Sequence, residues 1–357
     1  IPHITNEIKS RFYRGKDQEE DTIAIIEVGG TVGDMESQPF LEAIRQFQHE
    51  VGKENAILIH VTLIPYLKAS GEMKTKPTQA SVRELQSLGI QPDILVCRSE
   101  HPLTEDIRSK ISLFCNVPPS HVLQNLDVEY LYEAPLVMEK EHLAETVMAC
   151  LHLEKRDPDL SEWNTLTEAL RYPKTNVEIA IVGKYIKLHD AYLSVVEALK
   201  HGGIQNKCRV SIRWVDSECL EKGHLEEYLE NVDGILVPGG FGDRGTEGMI
   251  LAIEYAKINK IPFLGICLGM QMAMVEFARN VMGFFDASST EFNANTTYPV
   301  IALMPEQEAV ENLGGTLRLG SYPCVLKQGS LAEQLYGKTK IAERHRHRYE
   351  VNNQYRN

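Results

Sequence analysis

The sequence lacks the cysteine patterns of a structural metal site or of a disulfide framework. Its seven Cys are scattered over 357 residues and no two form a Cys-x-x-Cys pair, which is typical of reduced thiols in the cytoplasm. No apolar run approaches about 18 residues, so we expect no membrane-spanning helix. Acidic residues outnumber basic ones by 50 to 37 and leave a net charge of −13. This balance argues against a nucleic-acid binder, because such proteins carry a basic surface.

Enough apolar residues are present for more than one hydrophobic core. Hydrophobic residues make up 43% of the 357 residues and charged residues 24%, and the length predicts two or three domains. Strand-like runs alternate with helix-like runs in two successive series, without internal repeats or low-complexity tracts. This alternation predicts βαβ units, so the expected fold class is α/β, with two three-layer domains built on mostly parallel sheets.

The first series begins with an apolar, β-branched run at Thr22–Ile26 that leads into a glycine-rich turn. A buried parallel strand is the natural interpretation of such a run. Further predicted elements are the helices Pro39–His49, Thr78–Leu88 and Glu139–Leu153 and the strands Asn55–Leu63 and Pro92–Cys97. A polar, proline-containing stretch follows, so we predict a first domain over residues 1–155 and a linker over residues 156–176.

The second series predicts another α/β domain over residues 177–357. Its predicted elements are the strands Val177–Gly183, Arg209–Val215, Gly234–Pro238 and Ile261–Ile266 and the helix Ala191–His201. Parallel strands that alternate with helices place their carboxyl ends at one edge of a sheet, which is where open α/β sheets bind ligands.

Cys267 lies in the strongest local motif, Gly265-Ile-Cys-Leu-Gly269, between a predicted strand and a predicted helix. Glycines on both sides permit a sharp strand-to-helix turn that exposes the sulfur. The positive end of the following helix favours a thiolate, and the backbone N–H of Leu268 points towards a developing oxyanion. The alternative is a small buried cysteine that packs between sheet and helix.

A second glycine-rich loop, Pro238–Gly245, also follows a predicted strand. Its glycines leave backbone N–H groups accessible, which suits a second oxyanion donor. A tight turn without a chemical role is the alternative interpretation. Together, in this order and on consecutive strands, the loop and the cysteine motif resemble the class I glutamine amidotransferases.

That resemblance implies roles for residues of both motifs. Cys267 would attack the amide carbon of glutamine to form a thioester and release ammonia, with the N–H groups of Gly240 and Leu268 as the oxyanion hole. The glutamine ligands that it implies are Gly240, Leu268, Gln271, Glu291 and Arg348. Arg348 belongs to a basic run, Arg344–Arg348, that would otherwise be interpreted as a nucleic-acid patch.

Three further segments, Glu27–Glu36, Gly71–Gln79 and Arg344–Asn352, resemble the CTP synthase family, and the similarity runs over essentially the whole chain. Members of this family fuse an ATP-dependent amidoligase domain, which is P-loop-NTPase-like, to a C-terminal glutaminase. ATP phosphorylates UTP at O4, and ammonia then displaces the phosphate to give CTP. The residues agree with this chemistry, because carboxylates near a strand end can hold Mg²⁺ beside phosphates. A compact basic loop can likewise hold a triphosphate, although a solvated surface loop is the alternative.

The family resemblance also implies particular nucleotide and metal ligands. Glu27 would bind Mg²⁺, and Asp127 and Val128 would lie near the adenine of ATP. The pyrimidine-nucleotide site, at which the product CTP also inhibits, would be lined by Asp34, Met35, Glu36, Lys74, Thr75, Lys76, Pro77, Thr78, Gln79 and Lys110. GTP would be an allosteric activator that acts through the loop at residues 239–248. Homotetramers and filaments are the implied assemblies.

Two expected parts of such an enzyme are not in the printed sequence. Gly337-Lys-Thr339 is no phosphate loop, because Ala332 stands where the first glycine belongs. Neither His345 nor His347 has Glu two residues further on, as the His-x-Glu pair of the family would require. We therefore expect a longer protein, with the N-terminal part of the first domain and the C-terminal part of the second outside this chain. Residues 305–313 also look shorter than the corresponding loop of the family.

Two other functions remain open from the residues alone. The chain could be a catalytically degenerate homologue that serves as an assembly or filament protein. It could also be a stand-alone cysteine hydrolase that acts on another amide or ester. An activity that depends on UTP, ATP and glutamine would distinguish the amidotransferase from both of these alternatives.

Overall fold

The computed structural model describes residues 2–15, 22–303 and 318–356. The chain divides into two compact units, Ile1–Arg171 and Tyr172–Asn357. Each unit has its own sheet and its own hydrophobic core. Within the described ranges, no helix is long and apolar enough to cross a lipid bilayer. The expected segment at residues 305–313 lies outside the described residues.

A three-stranded parallel sheet in the order β1–β4–β5 organises the first unit. Its strands are β1 (Ile59–Leu63), β4 (Ile94–Ser99) and β5 (Val122–Leu126), and a short hairpin is formed by β2 (Tyr66–Leu67) and β3 (Glu72–Met73). The helices are α1 (Pro2–Arg14), α2 (Gln38–Val51), α3 (Lys76–Ser87), α4 (Glu105–Cys115), α5 (Ala134–Lys140), α6 (Leu143–Cys150) and α7 (Ser161–Arg171). The last of these lies within the segment predicted to be a linker.

The central strand β4 is apolar on both faces because helices cover both. Leu95 and Cys97 pack with Val82 of α3 and Ile111 of α4 in one cluster. On the other face, Ile94 and Val96 pack with apolar residues of α5 and α6. A strand that is buried on both sides shows a continuous apolar run instead of alternation, and this is why its position could be predicted from the sequence.

The predicted strand at Thr22–Ile26 was wrong. Residues 22–29 are irregular, and the side chains of Ile23 and Ile25 are 61% and 94% exposed. High β-propensity describes the fit of a side chain to a pleated surface, but a strand exists only where a neighbour pairs with its backbone. None of the described strands pairs with this segment.

Two other boundaries also differ from expectation. The predicted helix Glu139–Leu153 is two helices, α5 and α6, which are separated at His142 by a left-handed backbone with φ +59°. Periodicity alone cannot distinguish one bent run from two helices that share an apolar face. In addition, Lys76–Gln79 belongs to the first turn of α3, where Pro77 suits an early helical position, and is not part of a loop.

The second unit contains a four-stranded parallel sheet in the order β7–β6–β8–β9. Its strands are β6 (Thr175–Gly183), β7 (Cys208–Asp216), β8 (Gly234–Val237) and β9 (Phe263–Gly265). A smaller sheet consists of β10 (Ser288–Ser289), β11 (Pro299–Leu303) and β14 (Tyr349–Val351), and β12 (Arg318–Val325) pairs with β13 (Lys340–His347). All four strands predicted in this unit are present.

Helices α11 and α12 pack against the apolar surface of this sheet. The helices of the unit are α8 (Leu193–Asn206), α9 (Ser217–Leu220), α10 (Leu225–Leu229), α11 (Thr246–Asn259), α12 (Leu268–Asn280) and α13 (Leu331–Tyr336). Met249 of α11 and Met272 of α12 pack with Ile235 and Val237 of β8 in one core. The predicted α/β class with mostly parallel sheets is therefore confirmed for both units.

Replacement of Thr78 by Val is expected to destabilise the first unit by about 1–3 kcal/mol, because it leaves buried hydrogen-bonding groups without a partner. The Thr78 hydroxyl is fully buried, lies 2.9 Å from that of Thr62 and donates to the Leu63 carbonyl at 3.1 Å. Urea unfolding, followed by Trp163 fluorescence in a Trp214→Phe background, measures the change.

Ser109→Ala is the control for this measurement, because Ser109 is exposed on α4. Its effect should stay within about 0.5 kcal/mol. Equal unfolding midpoints for Thr78→Val and Ser109→Ala would contradict the assigned role of the buried hydroxyl.

Candidate active site

Cys267 occupies the turn between β9 and α12 with φ +54° and ψ −109°. A non-glycine residue at positive φ is strained and persists only where its surroundings enforce it. The two neighbouring glycines are required by close packing. A Cβ atom on Gly265 would lie 2.6 Å from the carbonyl carbon of Gly269, and one on Gly269 would lie 2.0 Å from the Val237 carbonyl oxygen. The backbone of α12 thus touches β8 and holds the turn tightly.

The thiol of Cys267 is accessible but poorly solvated. The residue is exposed, yet partial burial raises the pKa of its thiol, and the nearby Glu291 carboxylate raises it further. A hydrogen bond from the Leu268 N–H has the opposite effect. The expected thiolate-favouring effect of the helix N-terminus is therefore present but is outweighed by desolvation.

The glycine-rich loop that follows β8 lies directly against this turn. A Cβ atom on Gly239 would contact Cβ of Cys267 at 3.4 Å, and one on Gly240 would contact Leu268 at 3.3 Å. The two predicted oxyanion donors, the N–H groups of Gly240 and Leu268, therefore belong to segments in van der Waals contact. This proximity is what a hole with two donors requires.

The structure also brings Gln271 and Glu291 to this region. Gln271 is buried on α12 and donates from Nε2 to the Tyr349 carbonyl at 2.8 Å, so it contacts the residue that follows Arg348 in the chain. Glu291 is exposed in the turn after β10 and accepts a hydrogen bond from the Gly242 N–H at 3.3 Å. Gln271 of α12 and Glu291 of the turn after β10 thus lie in the region of the cysteine on two separate elements.

Cys267 opens into a cavity of about 1110 Å³, which is lined in part by Gln271, His347 and Glu350. His347 Nε2 contacts a carboxylate oxygen of Glu350. With His345, these residues form a group whose ligand atoms lie within 4.8 Å of one another. Two imidazoles and a carboxylate are donors that suit Zn²⁺, so this group could hold a divalent cation.

Sequence reasoning missed Lys184, which directly follows β6. Its residue is 5% exposed, and its ammonium donates to the carbonyls of Phe241 and Gly242 in the glycine-rich loop. Burial lowers the pKa of this ammonium, whereas the Glu291 carboxylate raises it. The only available signal was the position of a Gly-Lys pair at a strand end, which by itself indicates little.

A second cavity of about 590 Å³ lies on the loop at residues 239–248. Asp243 and Arg244 line it, together with Glu218 and Arg279. Arg244 forms an ion pair with Glu218 and donates to the Lys184 carbonyl at 3.1 Å. Arg244 therefore connects the loop to α9 and to the residue that follows β6.

In the first unit, Lys74 of the predicted pyrimidine-nucleotide site and Asp127 of the predicted ATP site both lie at the carboxyl edge of the sheet. The Lys74 N–H donates to the Pro65 carbonyl at 2.9 Å just beyond β1, and the Asp127 N–H donates to Ser99 of β4 at 3.1 Å. Lys74 pairs with Glu72 and lowers the pKa of the Glu72 carboxyl, and the charge of Lys110 lowers it further. Both lysines therefore act on one carboxylate at this edge.

Other predicted ligands in this unit are placed differently. Thr75, Thr78 and Gln79 are buried, and the Gln79 amide donates to the Thr75 hydroxyl at 3.1 Å, so their polar groups support the start of α3. Lys76 and Pro77 are exposed in the same turn, and Val128 is half-buried after β5.

Glu27 and the run Asp34, Met35 and Glu36 lie exposed in the irregular segment before α2. Close neighbours of this segment include Ser37, which lies near Gly30, and Glu84 of α3, which lies near Gly33.

Comparison with known proteins assigns a class to each unit. Residues 1–153 match the family described as CTP synthase N-terminus, and residues 187–357 match the family described as Glutamine amidotransferase class-I. The second unit is therefore a class I glutamine amidotransferase domain, joined to the α/β domain of a synthetase.

The relatives give the particular family. The chain is 60% identical over 356 residues to a CTP synthase of Ruminiclostridium cellulolyticum and 58% identical over 356 residues to one of Carboxydothermus hydrogenoformans. All of this chain is covered in both, and it spans 66% of the length of each. The chain belongs to the CTP synthase family.

Among solved structures, the chain is similar to the glutaminase domain of Trypanosoma brucei CTPS with bound acivicin. It has 41% sequence identity and a TM-score of 0.47, and the match covers 50% of this chain and 70% of that one.

Replacement of Glu291 by Gln is expected to lower the pH at which Cys267 becomes reactive. The Glu291 carboxylate disfavours a second negative charge and so raises the pKa of the thiol; its removal shifts the inflection of the alkylation rate to lower pH. Iodoacetamide labelling between pH 6 and 10, quantified on the Cys267 peptide by mass spectrometry, measures the shift.

The matched control for this shift is Glu226→Gln, which removes an exposed carboxylate on α10. It should leave the inflection where the wild type has it, above the ordinary thiol value of about 8.5. An unchanged or raised inflection in Glu291→Gln would show that the carboxylate does not act on the thiol.

Proposed function

We propose that the protein is a glutamine-hydrolysing CTP synthase, which aminates UTP to CTP at the expense of ATP with ammonia released from glutamine. The observation that carries this proposal is the strained Cys267 turn in contact with the Gly239–Gly240 loop. Similarity to CTP synthases over both units supports it. We further propose a cytoplasmic location, activation by GTP, inhibition by CTP and assembly as a homotetramer with the capacity to form filaments.

We propose that the glutaminase step takes place at the Cys267 turn of the second unit. Sulfur of Cys267 forms a bond to the amide carbon of glutamine, and the amide oxygen takes up the negative charge between the N–H groups of Gly240 and Leu268. When this adduct collapses, its carbon–nitrogen bond breaks and the nitrogen leaves as ammonia with the proton that the thiol has lost. The resulting thioester is hydrolysed by water to glutamate and the free thiol. Glu291, Gln271 and Arg348 are proposed to hold the substrate.

The synthetase step is proposed for the carboxyl edge of the first sheet. Lys74 and Lys110 would hold the triphosphate of UTP, Asp127 and Val128 would lie near the adenine of ATP, and the remaining predicted ligands would complete the site. The exposed carboxylate of Glu27 fits Mg²⁺, which proteins hold by one or two carboxylates together with phosphates. When bound there, the ion would neutralise phosphate charge during phosphoryl transfer.

A first test separates the two reactions. Cys267→Ala in the full-length protein should reduce glutamine-dependent CTP formation to background, because no thioester can form. Synthesis with ammonium chloride should continue at the wild-type rate, since ammonia then needs no release step. The measurement is CTP formation from UTP and ATP with either nitrogen donor.

Cys219→Ala, which removes a half-buried thiol of α9, is the control and should retain both activities. Loss of both reactions in Cys267→Ala would contradict the two-site assignment. A wild type without turnover on either donor would favour an assembly protein, and amide hydrolysis that is independent of UTP, ATP and GTP would favour a stand-alone hydrolase.

A second test addresses the nucleotide site. Lys74→Ala should raise the KM for UTP about 10- to 100-fold and weaken CTP inhibition in parallel, because a charge-assisted hydrogen bond contributes about 1.5–3 kcal/mol. Lys68→Ala, which removes an exposed lysine from the turn of the neighbouring hairpin, is the control. If Lys74→Ala leaves the UTP dependence at the wild-type value, this lysine does not belong to the site.

A further inference from the structure

Lys184 is a buried cation whose side chain packs along three residues of the glycine-rich loop. Its stem packs on Gly240, since a Cβ atom built there would lie 3.3 Å from Cδ and 3.6 Å from Cε of the lysine. Beyond the stem, the ammonium donates to the Phe241 carbonyl at 3.2 Å and to the Gly242 carbonyl. Lys184 therefore contacts three consecutive residues that begin at the predicted oxyanion donor.

The backbone of Lys184 is itself held in place. Its N–H donates to the Tyr192 hydroxyl at 3.1 Å, and its carbonyl accepts from Arg244 at 3.1 Å. Tyr192 can approach because residue 183 is glycine: a Cβ atom there would lie 2.6 Å from the Tyr192 hydroxyl oxygen. The lysine thus extends from a fixed point at the end of β6.

A buried ammonium is costly unless its donors are satisfied. Here two loop carbonyls accept from it, the Phe292 ring centroid lies 5.9 Å away, and Glu291 acts on it electrostatically. Because the carbonyls carry much of this compensation, any loop conformation that turns them away leaves the charge poorly solvated. The free-energy cost of burying the ammonium therefore restrains the loop to conformations in which these carbonyls face Lys184.

Peptide planarity transmits this restraint. The carbonyl of one residue and the N–H of the next are fixed on opposite sides of a rigid unit. With its carbonyl on Lys184, Phe241 directs the Gly242 N–H to Glu291 at 3.3 Å, while its own N–H donates to the Tyr185 hydroxyl at 3.3 Å. Three successive peptide planes after Gly240 are therefore fixed, in a sequence whose glycines would otherwise rotate at low cost.

We infer that Lys184 is a positioning residue for the oxyanion hole: its ammonium fixes the peptides that follow Gly240 and its stem packs on Gly240 itself, which together keep the Gly240 N–H directed at the reacting carbonyl. This inference rests on the proposed glutaminase function. Lys184 acts through the loop and makes no contact with the reacting atoms. The alternative is that it stabilises the fold without an effect on catalysis.

The test compares Lys184→Met with the wild type in the full-length protein. Methionine keeps an unbranched stem against Gly240 but removes the ammonium. The kcat of glutamine hydrolysis should fall about 100- to 1000-fold, as on loss of an oxyanion donor, with less than a threefold change in KM. Ammonia-dependent CTP synthesis and the alkylation rate of Cys267 should stay within twofold, because neither needs the hole.

An independent readout is the affinity for the aldehyde analogue of glutamine, in which a γ-aldehyde replaces the amide. Cys267 adds to it and forms a tetrahedral oxyanion that occupies the hole, so its affinity should fall in parallel with kcat. Lys187→Met, which removes an exposed lysine three residues further on, is the control and should match the wild type in every assay. Lys184→Arg should recover part of kcat.

If Lys184→Met does not fold, Tyr185→Phe carries the test, because it removes the acceptor of the Phe241 N–H and should lower kcat about tenfold with KM preserved. The inference is overturned if kcat and aldehyde affinity remain within twofold of wild type, or if Cys267 alkylation falls as much as kcat. Failure of the proposed function is distinct, because the wild type would then hydrolyse no glutamine.

Discussion

The close approach of α12 to β8 is the constraint on which the second unit depends. Gly269 lies so near the Val237 carbonyl that any side chain would collide with it. This contact forces the chain to turn sharply after β9 and holds Cys267 at positive φ. The same contact brings the loop after β8 against the cysteine. One backbone contact therefore sets both the position of the proposed nucleophile and its distance from the second proposed oxyanion donor.

The buried charge of Lys184 holds the glycine-rich loop in one conformation from a third strand of the sheet. Glycine-rich segments can approach a reacting group closely, but they retain little conformational preference of their own. Lys184 directly follows β6, which pairs with β8 on the side opposite to β9. Its buried charge favours a single orientation of the loop carbonyls. The proposed catalytic geometry is thus distributed over the ends of three adjacent parallel strands, in agreement with ligand binding at the carboxyl edge of open α/β sheets.

Apolar periodicity was sufficient to predict the elements that are buried on both faces, such as β4, β6 and β8. It failed at Thr22–Ile26, because strand formation depends on a pairing partner that a local pattern does not reveal. Apolar periodicity also predicted α5 and α6 as a single helix, since the apolar pattern continues across His142, whose backbone is left-handed. In the site, the turn at Cys267 could be predicted because close packing of the backbone requires glycine on both sides of the cysteine. Lys184 could not, because its role depends on loop carbonyls 57 and 58 residues away in the chain.

Glu291 connects the charges of the site. Its carboxylate raises the pKa of the Cys267 thiol and also that of the Lys184 ammonium, and it accepts the Gly242 N–H. In the proposed reaction Glu291 is a ligand of glutamine, and the α-ammonium of the substrate is the complementary charge. Pairing with that ammonium would cancel the field of the carboxylate at the sulfur, because the two charges form a dipole whose effect falls off faster with distance. The thiol would then ionise more readily with substrate bound than without it, so that nucleophilicity increases only when an amide is in place.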